Sequence, residues 1–107
     1  DLDVVTAVSG SGPAYFFLLA EQLAESAVRL GLEPVTARRL AVATLHGAGC
    51  LARESDGDLS RLRAEVTSKG GTTEAALRSL AAADFDDSVA AAVDAAVKRS
   101  KELAGVA

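Results

Sequence analysis

The segment EVTSKGGTTEAAL, Glu65 to Leu77, gathers the side chains best suited to chemistry. Gly70 and Gly71 sit among the hydroxyls of Thr67, Ser68, Thr72 and Thr73, and a helix-forming run follows directly. A helix that opens at Thr72 or Thr73 begins with N–H groups that have no partner inside the helix. The positive end of its dipole favours an anion, so a carboxylate or a phosphate fits. Glycines let the backbone curl towards such a ligand without side-chain obstruction. The hydroxyls of Ser68 and Thr73 add donors and can also accept. The same residues also suit a plain helix–turn–helix corner with Thr72 or Thr73 as N-cap, and spacing alone leaves both readings open.

Other candidates are weaker. Lys69 would add positive potential beside a bound anion, but a solvated lysine explains it equally well. His46 lies mid-helix among small residues, and no acid at i±3 or i±4 orients it for general acid–base work. Cys50 reads as a small core residue. Glu21 and Glu25 read as a solvated stripe. The stretch GSGPAY, Gly10 to Tyr15, follows an apolar VVTAV and mimics a dinucleotide fingerprint. It lacks the third glycine, however, and Tyr15 is too bulky for close helix–strand packing. A hinge into a buried helix is the preferred reading. One cysteine and one histidine supply no metal cluster.

These residues need elements to hold them. With 107 residues the chain is long enough for one domain. It begins at Asp1 without an initiator Met and reads as part of a longer or processed protein. Half of it is hydrophobic, yet only 4% is aromatic. Alanine therefore carries much of the apolar content, which favours helix and close helix–helix packing. A net charge of −4 without a basic patch argues against nucleic acid and anionic membranes. The longest uncharged runs fall short of a membrane span, no signal peptide is visible, and a reducing cytoplasm is the expected setting.

The expected fold is all-α with five helices. Leu2 to Val8 reads as a strand or an extended lead-in. The first helix runs from about Pro13 to Leu30, with Gly31 as its C-cap. It is apolar almost all round, which points to burial against a partner chain. Pro34 opens a second helix, to about Glu54. Gly47 and Gly49 weaken it by about 1 kcal/mol each, tolerable where another backbone lies close. Asp58 caps a short helix over about Leu59–Val66. Further helices run from about Thr73 to Ala82, and from Asp84–Asp86 to Gly105. The last carries Phe85, Val89, Val93, Val97 and Ser100 on one face, with acids early and bases late to suit its dipole.

Two segments in order, SGSGPAYFFLLAEQLAESAVRLGL (Ser9–Leu32) and EVTSKGGTTEAALRSL (Glu65–Leu80), resemble the C-terminal domain of the pyrroline-5-carboxylate reductase family, the last enzyme of proline synthesis. The resemblance covers about Val4 to Leu103. It implies that residues 1–12 lead in from an N-terminal nucleotide-binding domain that carries NADPH or NADH. Residues 13–107 would then form a helical dimerisation and substrate-binding domain, intertwined with a second copy. By position, Ser68, Gly70, Gly71, Thr72 and Thr73 would line the substrate. Ser68 and the amides of Gly71 and Thr72 would hold its carboxylate. The Thr73 hydroxyl would face the ring nitrogen as the catalytic group. It is too weak an acid to be the sole proton source, so solvent or pre-protonated substrate would supply the proton. No residue is assigned to the cofactor and none to a metal. Lys69 stands where the family commonly has proline, and His46 matches no functional position. Two other readings are a non-catalytic helical association module and the helical domain of a hydroxyacid dehydrogenase. The latter would bring a catalytic lysine within its helices, whereas Lys69 lies in the loop.

Overall fold

A computed structural model describes residues 1–105, and the chain is all-α. It contains α1 (Leu2–Val5), a π-helical turn (Thr6–Gly10), α2 (Gly12–Arg29), α3 (Pro34–Glu54), α4 (Leu59–Glu65), α5 (Thr72–Ala82) and α6 (Phe85–Leu103). No strand occurs among the described residues. The five expected helices are α2 to α6. The chain divides into two compact units, one made of Asp1–Pro13 with the chain from Thr67 onward, the other of Ala14–Val66.

In the first unit the expected strand or extended lead-in is helical instead. The Asp1 carboxylate accepts from the amides of Asp3 (2.7 Å) and Val4 (3.4 Å), which caps α1. The amide of Ser11 donates to the Thr6 carbonyl at 2.9 Å, which closes the π turn. A short apolar run such as LDVVTAV fits strand or helix equally well by periodicity, and packing decides. α1 and the π turn pack on α6. Ala7 is fully buried, because only a small side chain fits where two helical backbones approach. Ser100, on the apolar face of α6, donates its hydroxyl to Asp3 at 2.7 Å. α5 also packs on α6, after a joint in which Asp84 takes a left-handed φ of 58°. Asp86 and Asp87 fall in the first turn of α6 and Lys101 in its last, as its dipole prefers.

In the second unit, Gly31 at φ 112° ends α2 as expected. The Leu32 amide donates to the Ala27 carbonyl (2.9 Å) and the Gly31 amide to that of Val28 (3.0 Å). This paired pattern is the Schellman closure, which needs a residue at ease with positive φ. Pro34 occupies the first turn of α3, and Asp58 caps α4 through the Arg61 amide. Open apolar grooves run along α2 and α3, lined among others by Phe17, Ala20, Ala41 and Leu45. Phe16 and Phe17 are 60% and 62% exposed, while the buried hydrophobic residues of this unit are Ala37 and Ala41. At about 25 cal/mol per Å² of apolar surface, leaving such aromatic faces in water forfeits the largest stabilising term a helix has. Apart from the helix's own backbone, nothing among the described residues comes within 4 Å of a Cβ built on Gly47 or Gly49. The reason for these two glycines is therefore not found inside the chain.

The longest uncharged run, residues 4–20, is shorter than the roughly 20 residues a membrane span needs. An 18-residue window within Leu2–Arg29 nevertheless reaches a mean hydropathy of 1.3, so this helical stretch could cross a membrane by length and composition alone.

Candidate functional site

The corner that precedes α5 begins with a β-turn over Ser68–Gly71. The amide of Gly71 donates to the Ser68 carbonyl at 3.0 Å. Gly70, at the third position, has φ 74°, while Lys69 before it keeps a negative φ. That combination defines a type II turn, which needs glycine or asparagine at its third position. Gly71 has a different task. A Cβ there would lie 3.2 Å from the Ser68 carbonyl oxygen and 3.3 Å from the Ser68 Cβ. Gly70 thus supplies a backbone conformation and Gly71 supplies room, which explains why the corner carries two glycines.

Gly71 is also the N-cap of α5, and no side chain caps this helix. Neither threonine serves as N-cap; both lie inside the helix as its first two residues. The first backbone bond into the helix runs from the Ala75 amide to the Gly71 carbonyl at 3.3 Å. Among the described residues, the amides of Thr72, Thr73 and Glu74 have no acceptor. Three N–H groups therefore point out of the positive end of the helix dipole. Ser68 and Thr72 are exposed and Thr73 is half-buried, so the sequence brings hydroxyls and amides together at one edge.

The hydrogen bonds divide the work differently from the positional expectation. The Gly71 amide closes the turn, and the Gly70 amide donates to the Glu74 carboxylate at 3.1 Å. The donors that remain are the amides of Thr72, Thr73 and Glu74 and the hydroxyls of Ser68 and Thr73. Glu74 escaped the sequence reading. It stands three residues after the N-cap, where a glutamate commonly reaches back to an amide before the helix, and that spacing was the available signal. Its carboxylate also lies 3.1 Å from the Arg78 guanidinium one turn on.

The remaining candidates lie apart from this corner. His46 and Cys50 are both exposed on α3, with the imidazole Nε2 3.6 Å from the thiol sulfur. The expectation of a core cysteine does not hold. Cys50 sits roughly half a turn round the helix from the buried Ala37 and Ala41, on the face that looks outward. Glu21 and Glu25 are exposed, as a solvated stripe would be. Gly10 lies in the π turn and Gly12 opens α2, behind helix rather than strand. The strand–loop–helix cradle that a dinucleotide requires is thus not formed there, and these residues do not fit such a cofactor. Besides Asp1 on α1, a second side-chain cap was missed: the Glu33 carboxylate accepts from the amides of Val35 and Thr36, each at 3.1 Å, and from the Thr36 hydroxyl at 3.0 Å. The Val35 bond above all, then those from Thr36, holds its pKa below the usual carboxylate value.

The family model described as pyrroline-5-carboxylate reductase dimerisation matches residues 1–103. The pyrroline-5-carboxylate reductase of Pseudomonas aeruginosa is 50% identical over 103 residues, covering 96% of this chain and 38% of that protein. Pyrroline-5-carboxylate reductase 2 of Bacillus subtilis is 40% identical over 102 residues, covering 95% of this chain and 37% of its own length. The crystal structure of the Plasmodium falciparum pyrroline carboxylate reductase, solved with NADP bound, superposes with a TM-score of 0.89 at 36% identity, over 95% of this chain and 39% of that one. The enzyme from Coxiella burnetii also gives 0.89, at 44% identity, over 94% of this chain and 37% of its own. The chain spans about two fifths of the length of the curated relatives it matches. It belongs to the pyrroline-5-carboxylate reductase dimerisation family.

Proposed function

We propose that this chain is the dimerisation and substrate-binding domain of a reductase that converts 1-pyrroline-5-carboxylate to L-proline. The observation that carries the reading is the uncapped start of α5, with three unpaired amides beside the hydroxyls of Ser68 and Thr73. The carboxylate of the cyclic imine accepts from the amides of Thr72 and Thr73 and from the Ser68 hydroxyl. The Thr73 hydroxyl faces the ring nitrogen and orients the C=N bond. Positioning of this kind is what a hydride transfer chiefly asks of its protein. Gly70 and Gly71 shape the loop. NADPH or NADH, carried by the part of the protein outside this chain, supplies the hydride. The proton on nitrogen comes from solvent or from substrate protonated beforehand.

The partner in this reading is a second copy of the chain. The exposed aromatic and aliphatic faces of α2 and α3 are the surface that an intertwined dimer buries, and the relatives' family is described by dimerisation. A cytoplasmic setting follows from a soluble biosynthetic role, and the reading requires neither nucleic acid nor a membrane.

The test uses the full-length protein, assayed for NAD(P)H oxidation with pyrroline-5-carboxylate, with sedimentation as a second measurement. Turnover by a dimer or larger assembly supports the proposal. A dimer that never oxidises the cofactor leaves only an association module. Turnover with a 2-hydroxy acid in place of the imine points to the dehydrogenase reading.

A further inference from the structure

We infer that Glu74 is a positioning residue: its side chain holds the Ser68–Gly71 turn, and with it the Ser68 hydroxyl, in the form that receives the substrate carboxylate. The inference rests on the reading of the α5 corner proposed above. Glu74 is the third residue of α5 and is half-buried. Its Oε1 accepts the Gly70 amide at 3.1 Å and lies 3.1 Å from Nη2 of Arg78. The turn is therefore tied twice, once by its own bond from Gly71 to Ser68 and once to the rigid first turn of the helix.

The second tie matters because of what occupies the turn's second position. A proline there would lock φ near −65° and stiffen the turn by itself. This chain has Lys69, whose backbone keeps that freedom. A single backbone hydrogen bond contributes only about 1 kcal/mol net, so the turn alone is a loose platform. The Glu74 tie restores order from the helix side. A carboxylate close to an anion site is also a hazard, since like charges repel. Here the oxygen engages an amide and a guanidinium, which take up much of its charge and turn it towards the loop.

The experiment compares three variants of the full-length protein. Glu74→Ala removes the tie, Glu74→Gln keeps an oxygen for the Gly70 amide, and Lys69→Pro in the Glu74→Ala background restores stiffness by another route. KM and kcat with pyrroline-5-carboxylate are measured together with hydrogen exchange at the Gly70 amide. Losing one tie of this strength should raise KM about fivefold in Glu74→Ala, move kcat much less, and speed Gly70 exchange. Glu74→Gln should stay within about twofold of the parent, and Lys69→Pro should recover most of the lost affinity. Unchanged KM or unchanged Gly70 exchange in Glu74→Ala overturns the inference, as does a Gln variant that behaves like Ala. Ser68→Ala separates the two levels. If it raises KM while Glu74→Ala does not, the site stands and the role of Glu74 falls. If neither Ser68→Ala nor Thr73→Ala changes the kinetics, the site reading fails and the inference goes with it.

Discussion

α3 and α5 begin in opposite ways. α3 starts behind Glu33, whose carboxylate takes up the amides of Val35 and Thr36. α5 starts behind Gly71, with no side chain to cap it and three amides unpaired. Capping residues typically contribute about 1 kcal/mol to a helix. A chain able to close one helix with a carboxylate leaves the other open, at the corner where hydroxyls gather. The difference teaches that an absent cap is informative when a neighbouring helix in the same chain is capped well.

The sharpest way to break the contrast is to make α5 resemble α3. Gly71→Asp places a carboxylate at the N-cap, where it occupies the free amides and repels an anion. KM for pyrroline-5-carboxylate should rise on the order of a hundredfold, while thermal stability stays at or above that of Gly71→Ala, which shares the crowding but lacks the cap. Gly71→Ala is the control, because it crowds Ser68 in the same way without a cap. An Asp variant no worse than the Ala variant would show that the amides do not bind the substrate. Thr73→Ala comes next: turnover should fall at least about tenfold with KM less affected, through lost orientation at the ring nitrogen. Activity within about twofold of the parent rejects that role. Ser68→Ala should raise KM about fivefold by removing one hydrogen bond to the carboxylate, with little change in kcat.

The smallest effect is expected at α3. Glu33→Ala should lower the melting temperature slightly and leave KM unchanged; a raised KM would mean that α3 is not merely structural. Acid should act on Glu33 in the same direction. Its folded pKa lies below the unfolded value, so its contribution is present above the unfolded value and fades as pH falls through the folded one. Glu33→Gln should lower stability slightly near neutrality, where the carboxylate contributes, and should converge with the parent as pH falls through the acidic window.

Much of this was legible in the residues. Gly31, Pro34 and Asp58 mark helix ends because each has a local reason to sit there, and local reasons survive into the fold. The α5 corner was legible for the same cause, since glycines and hydroxyls before a helix-forming run can be read without tertiary information. The N-terminal helix was not, because LDVVTAV is ambiguous until α6 is present to pack against. Cys50 was placed wrongly because alanine-rich helices show little contrast between inner and outer faces. Glu33 and Glu74 were overlooked because their roles rest on a side chain folding back onto the backbone, and hydrophobic periodicity carries no trace of that.

The bond between Asp3 and Ser100 joins residues 97 positions apart. A contact that distant sets the order of events during synthesis. On a ribosome, α1 and the π turn cannot make their packing on α6 until α6 has emerged. The unit that holds the α5 corner therefore closes only once α6 has been made, and a nascent chain halted before α6 leaves Asp1–Pro13 without its packing surface. Synthesis of α6 is thus the event that lets Asp1–Pro13 settle into its fold.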